Sequence, residues 1–547
     1  MIRAQLLQHF DTLAETPEAV EKFRKLVLDF AIRGRLVPQN PKDEPAIQLV
    51  ERAKAGLTKK REKSTDQQNG EHEVMPFSLP KNWCWTCLEE LGETSPRNEL
   101  DDKTEVGFSP MRLVNAKFGV PILFERKIWS EVRKGFTHFA EGDVVVAKIT
   151  PCFENGKSGV IRGAPNGFGA GTTEFHVLRP VANCVLPEYV LAFLKSPHFL
   201  INGEKHMTGS AGQKRVPSNY FAKTPFPLPP LSEQRRIVAK AEELLALCDE
   251  LEARQTAARE HRARLVRSAL DHLTTAQDES DFKKHSAFCL QHSELLFDSL
   301  PALRQAIIQL AVLGRLSEPV ISERVDSTAE ENVTAASLAE EATNGQTLPS
   351  NWLWLRFRDV LSLRHGHQFR EYDFVPSGIP VIKIGQCKRD GTLDLLGCDY
   401  IAANRLDEFK DFRIEKDDIL MALTGGTLGK VTVVNRDYGP AVQNYRVGKF
   451  LPKESLYTKG FTQVVLLSGF FQTLVFEAVN QNAQPNIGKE KMEELVVPVP
   501  PLAEQQRIVA KVDELLRWCD ALEARLTAAQ TTATHLLDAT LHQILTA

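Results

Sequence analysis

The 547-residue sequence predicts an α+β fold: two mixed α/β heads and two long helices, laid out as a tandem duplication with a pseudo-twofold character. Three observations predict it. The stretch "PLPPLSEQRRIVAKAEELLALCDELEAR" (227–254) returns as "PVPPLAEQQRIVAKVDELLRWCDALEAR" (498–525), at an offset of 271 without a gap and with 20 of 28 positions identical. Each copy carries apolar residues at steps of 4, 3, 4, 3, the spacing of one helix face offered to a partner helix. The block of ~150 residues before each copy is different in kind, with short β-rich runs separated by Gly-rich turns.

The elements follow in order. Residues 1–78 hold a short helix, "FRKLVLDFAIRGRL" (23–36), and a polar linker. A first head (79–226) opens on "LPKNWCW" (79–85), and a first long helix fills 227–280. The helix returns as "LRQAIIQLAVLGRL" (303–316), inside a segment 281–347 that ends in the acidic linker "SERVDSTAEENVTAASLAEEA". "FDTL" at Phe10 likewise returns as "FDSL" at Phe297. A second head (348–497) opens on "LPSNWLW" (348–354), and a second long helix fills 498–547. Two copies are too few for a solenoid; they suit two heads on two rods.

The prolines at 229–230 and 500–501 mark where each long helix starts, since proline cannot continue a helix from upstream. Ser232, Glu233 and Gln234 are placed to satisfy free N–H groups of the first turn; Ala503 in the second copy cannot. The seams are Ile237, Ala241, Leu244, Cys248 and Leu251, and Ile508, Val512, Leu515, Cys519 and Leu522. About 45 residues at ~1.5 Å each make a rod of roughly 65 Å. Two near-identical seams are expected to pair with each other, Cys248 and Cys519 filling equivalent layers.

In the heads, "EGDVVVAKIT" (141–150), "KDDILMALTG" (416–425), "SPMRLVNAK" (109–117) and "GIPVIKIGQ" (378–386) read as strands. The turns "CFENGKSG", "NGFGAGTTEF" and "TGGTLGKV" follow them. Rods that nearly match and heads that differ describe a scaffold reused under a changed reading surface.

Composition narrows the function. The longest charge-free run, 460–476, contains Gln463, Ser468, Gln472 and Thr473 and reads as a buried helix rather than a membrane span. The N-terminus lacks the apolar core of a signal peptide, so the protein is expected in the cytoplasm. Nine scattered cysteines form no disulfide framework. Cys84 and Cys87 have C-x-x-C spacing but no counterpart in the second copy, where Leu353 and Arg356 stand; packed thiols are the expectation. The net charge is −4, yet 97–226 carries +5 and 356–497 carries +1, leaving −10 for the rest. The heads thus tolerate phosphate contact.

Familiar catalytic signatures fail. "GKS" at 156–158 needs a glycine at Pro151 to be a phosphate loop, and "GK" at 429–430 needs one at Thr424. These turns can offer backbone N–H groups and a lysine to DNA phosphate instead. No Asn/Asp-Pro-Pro-aromatic tetrapeptide, no G-x-G-x-x-G after a strand and no zinc-spaced His/Cys cluster occurs.

The residues just quoted carry a resemblance. "PLPPLSEQRRIVAKAEELL" and "PVPPLAEQQRIVAKVDELL", each closing a variable block, are similar to the shared regions of type I restriction–modification specificity (S) subunits. "LVLDFAIRGRLVPQNPKDEPA" resembles that family's opening helix. "AKITPCFENGKSG…GFGAGTTEFHVLRP" resembles one of its target-recognition domains, and "AQPNIGKEKMEELVVPVPPLAEQ" the close of another. The resemblance spans almost the whole chain, the acidic linkers and 274–290 excepted. It implies that each head reads one half of a split double-stranded DNA sequence. It implies that the two long helices form an antiparallel coiled coil that sets the gap. It implies partners as well: two modification (M) subunits that bind S-adenosylmethionine and methylate adenine, and restriction (R) subunits that use ATP and Mg. No catalytic residue, metal or cofactor is expected in this chain itself, and no membrane.

Arg and Lys pair with guanine, Asn and Gln with adenine, and all four types also meet phosphate. The candidates in head loops are Arg112, Lys117, Lys148, Asn155, Lys157, Gln213, Lys214 and Arg215. In the second head they are Lys383, Gln386, Thr427, Lys430, Gln443, Asn444, Gln484 and Asn486. A rod of roughly 65 Å holds two heads one to two DNA turns apart. Two other readings stand beside this one: a coiled-coil scaffold whose heads bind protein or sugar and no DNA, and a self-contained methylase or nuclease.

Overall fold

The computed structural model describes residues 18–58, 75–210, 212–275, 300–317, 348–388, 392–479 and 485–546, with Ala14, Thr16, Lys284, His285, Val320, 322–325 and Leu338. The repeated "FDTL" and all but Leu300 of "FDSL" lie outside the described residues, as does most of the acidic linker. The chain forms two compact units, Met1–Ala257 with Gln530–Ala547, and Ala258–Ala529.

In the first unit the head is built on two four-stranded sheets. One runs in the order Gly92–Thr94, Phe175–Pro180, Val144–Ala147, Ser158–Val160, all antiparallel. The other runs Glu125–Ile128, Glu105–Ser109, Phe168–Gly171, Thr137–Ala140, with its central pair parallel. The run Val144-Val145-Val146 is buried on both faces, and strand alternation divides its work. Val144 and Val146 pack on the helix Pro187–Leu194 through Tyr189, Val190 and Phe193. Val145 turns the other way, to Phe139, Phe175 and Val177.

The second unit repeats this plan and then departs from it. Its first sheet, Leu361–His365, Val447–Pro452, Ile419–Ala422, Val431–Val433, matches strand for strand. Ile419 and Met421 face one core and Leu420 another. Its second sheet runs Phe374–Val375, Asp399–Ile401, Ile379–Ile382, Val442–Gln443. Here the parallel partner Val442–Gln443 is an edge, whereas its counterpart Phe168–Gly171 is flanked on both sides. The charge-free run 460–476 is not one helix. It forms Lys459–Leu467 and Gly469–Glu477, bent by 65°. They part at Ser468, whose hydroxyl accepts from the Phe471 N–H at 3.1 Å and so starts a new helix. Phe461, Val464, Val465, Phe471 and Val475 bury both in the core. Among the described residues no single helix is long and apolar enough to cross a membrane.

Three of the sequence repeats, the short helix, the "LPxNWxW" segment and the start of the long helix, meet at one junction in each unit. The short helices Ala19–Ile32 and Leu300–Val312 are followed by Gly34 and Gly314, both left-handed (φ 68° and 71°). A Cβ there would lie 2.5 Å from Pro80 or 2.4 Å from Pro349, so only glycine lets the "GRL" turn meet "LPxNW". The strand Cys84–Thr86 then pairs antiparallel with Phe226–Leu228, and Leu353–Arg356 with Val496–Val499. Each head therefore begins and ends side by side. Tyr189 Oη donates to the Pro227 carbonyl (2.8 Å) and Tyr457 Oη to that of Pro498 (3.1 Å).

The residues after the prolines close the junction. Gln234 and Gln505 are fully buried. Gln234 Oε1 accepts from the Leu186 N–H (2.8 Å), and its amide donates to Pro229 O (3.0 Å) and Cys184 O (3.3 Å). Gln505 does the same with the Thr458 N–H, Pro500 O and Leu456 O, each at 2.8–2.9 Å. Glu233 accepts from Gln39 (2.7 Å), and Glu504 from Ser317 (2.9 Å) and Asn351 (2.8 Å). The capping role expected of Glu233 and Gln234 is thus replaced by a different one. Both side chains bond to neighbouring segments, which is why the second copy functions with Ala503 in place of Ser232.

The long helices are Leu231–Thr275 and Leu502–Thr546, 45 residues each. The expected seam residues do face inward, but their partners differ from the expectation. Ile237 belongs to the first head's core, and Ile508, Val512 and Cys519 to the second's. Cys248 packs on Ala19, Val20 and Phe23 of the first short helix and on Leu537 and Leu541. Cys248 belongs to the first unit and Cys519 to the second. The reason is steric: the short helix and the head occupy the first half of each seam. Only the end of the other long helix joins it. Matching ion pairs fasten the short helices, Arg24 to Asp249 (2.6 Å) and Glu252 (3.0 Å), and Arg304 to Asp520 (2.6 Å) and Glu523 (2.8 Å). From residue 258 the first long helix belongs to the second unit, and from 530 the second belongs to the first. Each long helix thus gives its first part to one unit and its last part to the other.

Replacing Gln234 or Gln505 with Leu leaves two carbonyls and an N–H buried without partners. Each change should lower unfolding free energy by roughly 2–4 kcal/mol. Arg235→Gln, an exposed exchange to the residue of the second copy, should stay within about 0.5 kcal/mol. Chemical denaturation of the three variants checks both.

Candidate nucleic-acid interface

Two loops of the first head run side by side. One follows Val144–Ala147, and the other precedes the helix Ser218–Lys223. Ile149 and Arg215 form an antiparallel bridge. The Thr150 N–H donates to Lys214 O (3.0 Å) and the Val216 N–H to Lys148 O (2.8 Å). Arg215 and Thr208 exchange backbone bonds at 2.8 and 3.0 Å, which folds the second loop into a hairpin. The sequence candidates Lys148, Gln213, Lys214 and Arg215 are brought together here. Asn155 lies further along the first loop, its N–H on Pro151 O (3.0 Å) and its side chain exposed. Gln213 and Lys214 are exposed, and neither Lys148 nor Lys214 makes an ion pair among the described residues.

Arg215 is held. Its Nε and Nη2 donate to the Glu174 carboxylate, both at 2.9 Å, and its Nη1 donates to Gln213 O at 3.1 Å. The guanidinium keeps the Glu174 carboxyl below its ordinary range, so the pair stays charged at neutral pH.

The second head repeats the loop pairing. Thr424 bridges Asn486, the Gly425 N–H donates to Pro485 O (2.9 Å), and the Ile487 N–H to Leu423 O (3.2 Å). Asn486 therefore occupies the backbone position of Arg215. One step along the ladder, the Lys148 N–H donates to Glu174 O, and its counterpart Leu423 N–H donates to Arg446 O. Arg446 thus stands where Glu174 does, its guanidinium on Tyr445 through an Nε–Oη bond of 2.8 Å. Thr427 and Lys430 lie in the first loop of this pair, joined by Lys430 N–H to Thr427 O (3.0 Å). The Thr427 hydroxyl is buried without a partner among the described residues. Gln484 lies outside the described residues.

Other candidates are placed elsewhere, and several are corrected. Gln443 is fully buried, its amide donating to Val447 O (2.6 Å) and Arg364 O (2.9 Å). Asn444 is 5% exposed and turns back on the Arg446 N–H (3.3 Å). Neither side chain reaches DNA; both satisfy the irregular backbone where the edge strand ends. Lys117 is drawn to the long helix by Glu252 (3.0 Å) and Asp249 (3.7 Å), and Lys157 donates to Met111 O (3.2 Å). Lys157 is thus spent on the fold, whereas Lys117 stays half exposed in a surface ion pair. Gln386 accepts from the Lys383 N–H (3.1 Å), and Lys383 pairs with Asp399 beneath the Phe374 ring. Arg112 pairs with Glu125 on an exposed edge, an ion pair weak enough to exchange for phosphate.

Two residues that sequence reading passed over matter here. Lys195 is 6% exposed and donates to Ala116 O (2.7 Å), Gly156 O (2.9 Å) and Asn115 O (3.4 Å), tying down the loop that carries Asn155. Burial pulls its ammonium down to about 7. Glu174 orients Arg215 from 41 residues away. No local spacing announces either contact. Cys84 and Cys87 are raised to about 11 and about 12, by burial first and by Glu90 second, so both remain thiols.

Known proteins resemble this chain throughout its length. A family described as "Type I restriction modification DNA specificity domain" matches residues 80–259 and again 349–529. The type I restriction enzyme EcoAI specificity subunit of Escherichia coli is 35% identical over 552 residues, covering 95% of this chain and 93% of that one. The EcoEI specificity subunit of the same organism is 32% identical over 554 residues, with the same coverage. A solved chain from work on complex assembly and conformational transition of the type I R-M system shares the fold. It has a TM-score of 0.53 and 19% identity, covering 86% of this chain and 99% of that chain.

Gln443→Leu tests the correction made above. It should cost about 2 kcal/mol or more in stability by stranding two buried carbonyls, and any folded fraction should keep its ligand preference. A stable protein with an altered preference would contradict the burial. Two copies of one specificity domain, each closed by its own strand pair on matching long helices, make this chain a member of the type I restriction–modification DNA specificity subunit family.

Proposed function

We propose that each head reads one half of a bipartite duplex sequence and that the two long helices set the separation of the halves. The observation that carries this is the pairing of equal junctions with unequal heads. The chain enters and leaves each head through a two-stranded sheet of the same kind, while the outer sheets differ in strand order. Such heads can present different side chains from equivalent places, as an asymmetric split site requires. The loop pairs supply the contact surface, with Lys148 and Lys214 toward phosphate and neighbouring side chains toward base edges. The family to which the chain belongs favours this over a scaffold that binds no DNA.

The fuller reading adds partners. The subunit acts with two modification subunits, which hold S-adenosylmethionine and methylate adenine, and with restriction subunits that use ATP and Mg. Its own part is to choose the sequence and hold it in place. The two matching units offer two equivalent places for a pair of identical partners.

Methylome sequencing of a host that carries this chain with its modification subunits should give one split adenine motif, lost when this gene is deleted. Exchanging residues 87–225 for another head, with both junction strands kept, should change one half-site alone. One heptad added to each long helix, at 257/258 and at 529/530, lengthens both by about 10 Å. The spacer should then grow by about three base pairs, with the half-site letters unchanged. Changed letters after heptad insertion would refute this division of labour. Lys148→Ala with Lys214→Ala should weaken binding to all duplexes and make the salt dependence shallower by about 1–2 units of log K per log salt.

A further inference from the structure

We infer that the slot held by Arg215 in the first head and by Asn486 in the second is a base-reading position. Arg215 takes guanine in one half-site and Asn486 takes adenine in the other. The inference rests on the half-site reading above and names the residues that do the reading.

The equivalence of the two positions is one of backbone, not of sequence. Arg215 bridges Ile149 and Asn486 bridges Thr424, each beside the loop that leaves the central buried strand. The next residue in each case, Val216 or Ile487, is buried and donates its N–H to the same rung of that loop. The slot is therefore fixed from below, and its side chain is what varies.

The chemistry of each occupant fits one base edge. A guanidinium has five N–H donors. In Arg215, Nε and one N–H of Nη2 go to Glu174, and one N–H of Nη1 goes to Gln213 O. Two donors remain, on adjacent nitrogens of a fork that is already held still. The side chain is 43% exposed, so those donors can meet a duplex. Two parallel donors are what guanine O6 and N7 accept in the major groove. Glu174 is the positioning residue: its carboxylate fixes the plane of the fork before DNA arrives, so less side-chain entropy is lost on contact.

In the second head both members change together. Arg446 replaces Glu174 and is engaged with Tyr445, so no carboxylate buttresses the slot. Asn486 is exposed, and its carboxamide makes no side-chain hydrogen bond among the described residues. A free carboxamide offers one donor and one acceptor side by side, the complement of adenine N7 and N6. An unpaired arginine with no buttress would favour phosphate; a short neutral amide favours a base edge.

The test uses the complex of this chain with its modification subunits. It is bound to duplexes in which each half-site is randomised in turn, and the bound fraction is sequenced. Arg215→Asn should reduce discrimination for guanine about ten- to hundredfold at one position of one half-site, leaving the other half-site and the spacer intact. Arg215→Lys, which keeps the charge and a guanine-compatible donor but loses the planar fork and its Glu174 buttress, should weaken the same discrimination while holding affinity for random duplex. Glu174→Gln should weaken that guanine preference without altering the salt dependence, which a merely structural role would not do. Asn486→Arg should abolish an adenine preference in the opposite half-site. A split motif that survives all four substitutions overturns this inference alone. So does a uniform loss of affinity with a shallower salt dependence, the mark of a phosphate contact. A wild-type complex that selects no split motif overturns the half-site reading and this inference together.

Discussion

The buried carboxamides of Gln234 and Gln505 are the constraint on which the rest of the molecule depends. Each bonds to three backbone groups: the carbonyl before its own helix, a carbonyl of the head, and the N–H that begins a head helix. Head and long helix are thereby joined in one orientation. An amide buried without partners is costly, so the arrangement tolerates little deviation. Gly34 and Gly314, Tyr189 and Tyr457, and the paired strands close around the same point.

That closure explains how one chain can carry two heads so unlike each other. Where a segment begins and ends on adjacent strands, its interior can change without moving the scaffold. The first sheet of each head, which touches the junction through its buried helices, keeps its strand order. The second sheet, further along the chain from the junction, is rearranged.

Charge follows the same division. The chain is acidic in sum, but its acidic residues gather on helices and linkers, where Asp249, Glu252, Asp520 and Glu523 hold the short helices. The loop pair of the first head keeps Lys148 and Lys214 free of ion pairs among the described residues. The net sign of a protein is thus a poor guide to the sign of one surface.

The duplication, the start and length of both long helices, the inward faces of Ile237, Ala241, Ile508 and Val512 and the β character of "DVVVA" and "DDILMA" are all legible in the sequence. They follow from local period and from proline, which act within a few residues. What fills each seam is not legible, because Cys248 is met by residues 225 and more positions away. Nor is the burial of Gln443, the break at Ser468 or the bond from Arg215 to Glu174. Their polar groups find partners only once strands distant in the chain lie next to each other. Sequence alone decided which segments repeat and which face each helix hides. The tertiary structure decided which polar side chains are consumed inside the fold and which remain exposed, because a hydrogen bond depends on position in space and not on distance along the chain.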